Sequence, residues 1–178
     1  MTLVPNRAFL RLWSAETISL FGSQITLLAV PLTAVLTLHA TPLEMGVLMA
    51  VGTAPTLLFG LVIGAWVDRV QRRPLMIAAD LARAALLVTI PVASYAQLLH
   101  IGQLYIVEFL IGVCTIVFDV AYISLLPTLV PHEFLVSGNS RLEGSRALAG
   151  TAGPGLAGAL VQLVTGPVAI LGDALSFV

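Results

Sequence analysis

The chain has 178 residues, 58% of them hydrophobic and 10% charged, with a formal net charge of -1 and a mean hydropathy of +1.04. A soluble domain usually carries about a quarter charged residues, so this composition excludes a water-soluble fold. The near-neutral charge is segregated into short clusters and forms no basic face for nucleic acid.

The chain reads as an all-α, polytopic membrane protein, one transmembrane domain over 1–178. Apolar segments run over about 12–38, 43–67, 75–96, 103–126 and 142–164, and another begins at 167. A helix rises ~1.5 Å per residue, so each of the first five can cross ~30 Å of hydrocarbon. The last segment, 167–178, reaches only ~18 Å, so a chain truncated within its sixth helix is expected. The first segment exceeds the ~7–15 residues of a signal-peptide core and reads as a span.

Every basic residue is an arginine, and their placement orients the spans. Arg7 and Arg11 precede the first segment, Arg69, Arg72 and Arg73 follow the second, and Arg141 and Arg146 follow the fourth. The alternate connections, around His39, His100 and Thr165, carry no Arg or Lys. The positive-inside rule then predicts a multi-pass protein of the cell membrane with a cytoplasmic N-terminus.

Within the first span, Glu16, Ser19, Ser23, Thr26, Thr33 and Thr37 keep to one helical face. The fourth span repeats the pattern with Glu108, Gly112, Thr115, Asp119 and Tyr122. Polar stripes on membrane helices face protein or a water-filled cavity, so these two helices are expected to line a solute pathway. The competing reading is that the hydroxyls bond backbone carbonyls at helix contacts. A charge near mid-bilayer costs ~3 kcal/mol or more unless it is paired or neutralised, which makes Glu16, Glu108 and Asp119 proton-carrier candidates. Asp119 is the first choice, with pairing to a loop arginine as its alternative, and Glu108 alternatively lies at headgroup level. Asp80 and Arg83, three apart on the third span, are expected to pair, with direct solute contact by Arg83 as the alternative. Asp173, on the unfinished sixth segment, is given no role.

Small residues form a further pattern. Gly52, Thr56, Gly60 and Gly64 recur every fourth position of the second span, a ridge that lets another helix approach closely. Gly150, Gly153, Pro154, Gly155 and Gly158 make the fifth span a close-packing, bendable hinge. The letters of Gly153 to Gly158 match G-x-G-x-x-G but lie inside a membrane segment rather than after a strand, so no dinucleotide site is expected. His132-Glu133 lacks the second histidine of H-E-x-x-H, because Val136 stands there. The single Cys114 has no disulfide partner, and neither cofactor nor metal is expected.

The stretch Gly64-Ala65-Trp66-Val67-Asp68-Arg69-Val70-Gln71-Arg72-Arg73 resembles the G-x-x-x-D-R/K-x-G-R-R/K loop of major facilitator superfamily transporters. Gly64, Asp68, Arg69, Arg72 and Arg73 match, and Gln71 departs where glycine is usual. Phe118-Asp119-Val120-Ala121-Tyr122, Gly138-Asn139-Ser140 and Asp173-Ala174-Leu175-Ser176-Phe177 are similar to the enterobactin-exporter-like and macrolide-efflux-like branch. Gly153-Pro154 resembles the fifth-helix antiporter motif.

The resemblance implies the N-terminal six-helix half of a secondary transporter working by alternating access, not an enzyme. It implies proton-coupled export of a lipophilic or amphiphilic small molecule, with Glu16, Ser23, Thr26, Arg83, Glu108, Thr115, Asp119 and Tyr122 on the pathway. Gly64, Asp68, Arg69, Arg72 and Arg73 would form a cytoplasmic gating loop, and Gly60, Gly153, Pro154 and Gly158 packing or hinge points. Expected partners are the bilayer, the solute, protons and a C-terminal half, without which the chain is expected to be inactive. An importer, or a non-transporting membrane subunit, is the alternative.

Overall fold

The computed structural model describes residues 7–67, 69–129 and 135–177. Asp68, His132 and Glu133 lie outside the described residues, as do the side chains of Arg7 and Arg11. The described residues form α1 (Arg7–Leu36), α2 (Pro42–Val67), α3 (Arg72–Tyr95), α4 (Ile101–Leu129), α5 (Leu135–Val164) and α6 (Gly166–Ser176). Five of these are long and apolar enough to cross a membrane, and α6, with 11 residues, is shorter.

Local chemistry sets several boundaries. The sequence Thr41-Pro42-Leu43-Glu44 is a capping box, with Thr41 N–H donating to Glu44 Oε2 at 2.7 Å and Glu44 N–H to Thr41 Oγ1 at 3.3 Å. Pro42 at the first helical position loses no helical hydrogen bond. At the start of α4, Gln103 N–H donates to His100 Nδ1 at 3.1 Å. Helix α5 starts seven residues before the apolar segment expected from 142. Its polar opening turns still pack, because Gly138, Leu142, Ser145 and Ala149 recur at helical spacing on a buried face. Hydropathy marks where lipid begins, whereas packing decides where a helix begins.

The packing order has an internal symmetry. Helix α4 lies against α2 and α3, just as α1 lies against α5 and α6, and α3 meets α6. Exchanging α1–α3 with α4–α6 therefore maps one set of neighbours onto the other. An odd number of crossings per trio makes the second enter from the opposite side, an inverted repeat. Two apolar clusters fill the interior. One holds Val30, Leu48, Leu87, Leu104, Val107 and Ile170, and the other Val67, Met76, Phe118, Tyr122 and Leu142. On α3, Arg83 stands between Ala79 of the second and Leu87 of the first. Outward leucines such as Leu57, Leu61 and Leu163 are almost fully exposed, which suits a hydrocarbon surround.

The small-residue ridge of α2 is used only at its first member. A Cβ on Gly112 of α4 would come within 3.0 Å of the Gly52 carbonyl oxygen and 2.9 Å of Pro55 Cγ, so α2 and α4 approach closely there. A Cβ on Gly60, Gly64 or Gly158 would meet no described atom within 4 Å. Gly60 and Gly158 thus correct the expectation that they pack: the α2–α4 contact runs along the Gly52–Pro55 edge and leaves the rest of the ridge outward. Gly153 does pack, against the Gln24 side chain of α1, and Pro154 is exposed within α5.

Candidate solute cavity

A cavity of about 300 Å³ opens between α1, α2, α3, α4 and α6. Ser23 and Thr26 of α1, Arg83 of α3, and Glu108 and Thr115 of α4 line it, five of the residues expected on a pathway. They meet because the polar stripes of α1 and α4 turn inward at the same depth. Leu27, Val30, Leu48, Met49, Leu87 and Ile111 supply an apolar wall.

Helix α6 contributes what the sequence reading left without a role. Asp173 is 1% exposed and accepts a hydrogen bond from Thr26 Oγ1 at 2.5 Å and another from Ser176 Oγ at 3.1 Å. Gly22 makes room for that group, since a Cβ there would collide with Ser176 and Asp173. Phe177 also faces the cavity. An acid amid the apolar residues of α6 was the available signal, but its partner lies on a helix distant in sequence.

Arg83 is 5% exposed and paired with Asp80, one turn earlier on α3. Its guanidinium carbon lies 4.7 Å from the Phe118 ring centroid and 4.3 Å from that of Phe177. The cation thus lies over a ring from α4 and one just past the end of α6, and its charge is attracted by their π faces. Its Nε, buried, has no hydrogen-bond partner among the described residues.

Glu16, Asp119 and Tyr122 do not join this lining. Glu16 and Tyr122 are buried, 7% and 3% exposed, and neither Glu16 Oε2 nor the Tyr122 hydroxyl has a hydrogen-bond partner among the described residues. Asp119 lies exposed on α4, against the expectation that the whole stripe faces inward. The contact between α1 and α4 is sparse, so the stripe is uncovered at Asp119, while Tyr122 one turn further on is buried in the second apolar cluster. Gly112, in the same stripe, serves helix packing instead. Beyond this group, Trp13 Nε1 donates to Ser145 Oγ at 3.1 Å, which also pairs with Thr17 Oγ1 at 3.0 Å, tying α1 to α5.

In the arginine loop, Arg72 Nη1 donates to the Ser124 carbonyl at 3.2 Å, joining α3 to the far end of α4. Arg69 and Arg73 are exposed, and Gly64 has open space around it. Among the described residues no group of three or more His, Cys, Asp or Glu side chains is placed to hold a metal ion.

Residues 12–178 match the Major Facilitator Superfamily over nearly the whole chain. The chain belongs to that superfamily. It is therefore a multi-pass membrane protein of a family of small-molecule transporters. It is 29% identical over 159 residues to an uncharacterized MFS-type transporter, YfiS, of Bacillus subtilis (strain 168), covering 88% of this chain and 36% of that protein. It is 32% identical over 128 residues to macrolide efflux protein A of Streptococcus pyogenes, covering 71% of this chain and 31% of the relative. The chain thus spans about a third of the length of these curated relatives. No solved structure matches it significantly.

Proposed function

We propose that the chain forms part of a proton-coupled exporter of a lipophilic or amphiphilic small molecule, working by alternating access in the cell membrane. Its N-terminus is cytoplasmic, as the arginine-bearing connections suggest. The observation that carries this reading is the cavity, where Arg83, Glu108 and Asp173 converge inside otherwise apolar helices. Buried ionisable groups in membrane segments are costly, and they mark solute or proton pathways. The likeness to macrolide efflux protein A supports export. Solute binds at the cavity, carboxyls there and at Glu16 and Asp119 take up and release protons, and Asp68 with Arg69, Arg72 and Arg73 latches the cytoplasmic side. A further set of helices, corresponding to the remaining length of the relatives, completes the pathway.

Transport in liposomes with an imposed pH gradient tests this. The chain is reconstituted alone and together with the remaining two thirds of macrolide efflux protein A, and efflux of a fluorescent lipophilic amine is followed. Gradient-driven export from the pair supports the reading. Movement in the opposite direction makes it an importer, movement indifferent to the gradient removes proton coupling, and no movement in either case favours a non-transporting subunit.

A further inference from the structure

The six helices divide into two sets that chain order hides. Helix α1 packs along α5 and α6, and α4 along α2 and α3, whereas α1 touches α4 and α2 only sparsely. The exchange that maps α1–α3 onto α4–α6 therefore maps the set α1, α5, α6 onto the set α4, α2, α3. Hydrogen bonds between helices follow the same division. Trp13 and Thr17 bond Ser145, and Thr26 bonds Asp173, all within the first set. Within the second, the Tyr105 hydroxyl donates to the Glu44 carbonyl at 3.2 Å, Gln103 Nε2 to that of Thr89 at 3.1 Å, and Arg72 to that of Ser124. None of these bonds crosses from one set to the other.

The contacts that do cross are of another kind. The first apolar cluster takes Val30, Ala169 and Ile170 from one set and Leu48, Leu87 and Leu104 from the other. Between α3 and α6, the Arg83 guanidinium carbon lies 4.3 Å from the ring centroid of Phe177, which follows directly on α6. Membrane helices are held together by close packing and interhelical hydrogen bonds. Hydrogen bonds weaken steeply when bent, whereas apolar contact is non-directional and tolerates tilt. The seam between the sets is therefore the line along which the bundle yields most easily. It is also closed unequally, because α3 meets α6 closely and α1 meets α4 sparsely.

The cavity lies on this seam. Ser23, Thr26 and Asp173 stand on one wall, and Arg83, Glu108 and Thr115 on the other. Boundaries between bodies are where ligand pockets preferentially occur. The chain passes from one set to the other in just two connections, α1 to α2 and α4 to α5, so each set can turn as a body.

We propose that the chain works as two three-helix bodies hinged along α3 and α6, with the cavity opening between α1 and α4 and the Arg83–Phe177 contact holding it shut. Hinge closure around a pocket needs two rigid bodies and a compliant line between them, and both are present here. The movement lies inside this chain, beyond any rocking against further helices, and it stands whether or not the cavity carries a solute.

The test measures distances on the full chain in lipid nanodiscs, by double electron–electron resonance between paired nitroxide labels in a Cys114→Ala background. All labelled positions are exposed. Leu61→Cys with Leu163→Cys spans the seam, Ile18→Cys with Leu163→Cys stays within the first body, and Leu61→Cys with Val92→Cys within the second. Without further substitution, the spanning pair should give the broadest of the three distributions. Phe177→Leu should lengthen or widen it by ~2 Å or more, the scale of helix shifts at interfaces, and leave both internal pairs unchanged. Phe118→Leu removes the other ring over Arg83, within one body, and should move none of the three. Three equally narrow distributions overturn the proposal, and this comparison decides by itself where a variant does not fold. A spanning pair that ignores Phe177→Leu, or that answers Phe118→Leu equally, overturns it as well.

Discussion

Thr26 and Asp173, 147 positions apart, are joined by a buried hydrogen bond of 2.5 Å from the threonine hydroxyl to Asp173 Oδ2. It fastens the 11 described residues of α6 to the middle of α1. The two residues also bound the cavity, so the bond that anchors the helix orients a carboxyl on the cavity wall.

Removing that hydroxyl leaves Asp173 with Ser176 as its remaining side-chain donor among the described residues. Thr26→Val keeps the shape of the side chain and deletes the donor, at a cost of ~1–3 kcal/mol for a buried acceptor losing its partner. Thr26→Ser retains the bond and most of the stability. Thermal unfolding in detergent, read by circular dichroism, should rank wild type and Thr26→Ser together above Thr26→Val. Equal midpoints for all three would show that the bond adds nothing.

Arg83 is paired by charge with Asp80, and its guanidinium lies over the rings of Phe118 and Phe177. Arg83→Ala leaves Asp80 without its partner and should cost ~3–5 kcal/mol, the range for breaking a buried pair. Arg83→Lys keeps the charge and loses the planar stacking, so it should fall between. The double variant Asp80→Asn with Arg83→Gln should recover part of the loss, because no unpaired charge remains. The same unfolding measurement checks the order, and a double variant worse than Arg83→Ala would mean the pair is not the source.

Glycine substitutions separate the packed ridge from the open one. Gly112→Ala forces apart the α2 and α4 backbones at Gly52 and should cost ~1–3 kcal/mol through overpacking. Gly60→Ala meets open space and should be neutral, or stabilise by up to ~1 kcal/mol through helix propensity. Unfolding midpoints that move together for the two variants would contradict this placement.

The two ends of the bundle should react from opposite sides of a membrane. In a Cys114→Ala background, Val70→Cys beside the arginine loop and Leu98→Cys between α3 and α4 both place an exposed thiol. A membrane-impermeant maleimide applied outside whole cells should label the second and spare the first. Labelling of both from one side would defeat the arginine-based topology.

Much of the architecture was legible along the chain because it depends on local quantities. The number, order and approximate length of the spans follow from where apolar runs meet polar turns, and the Thr41-x-x-Glu44 box announces the start of α2. Ser23, Thr26, Glu108 and Thr115 were legible as an inward face because helical spacing alone aligns them. What spacing leaves open is how far along a helix its neighbour reaches. Asp119 shares a face with Glu108 yet is exposed, and Gly112, on the same stripe, serves packing.

By itself the sequence determined that the chain lives among lipid tails and which face of each helix is polar, since composition and periodicity are properties of single segments. Only the tertiary structure decided that Asp173 of α6 and Phe177 just past it join α1 and α3 around the cavity. A helix face carries no record of its partner. Which faces meet is settled by the joint packing of all the helices, with each buried polar group drawn to the neighbour that satisfies it.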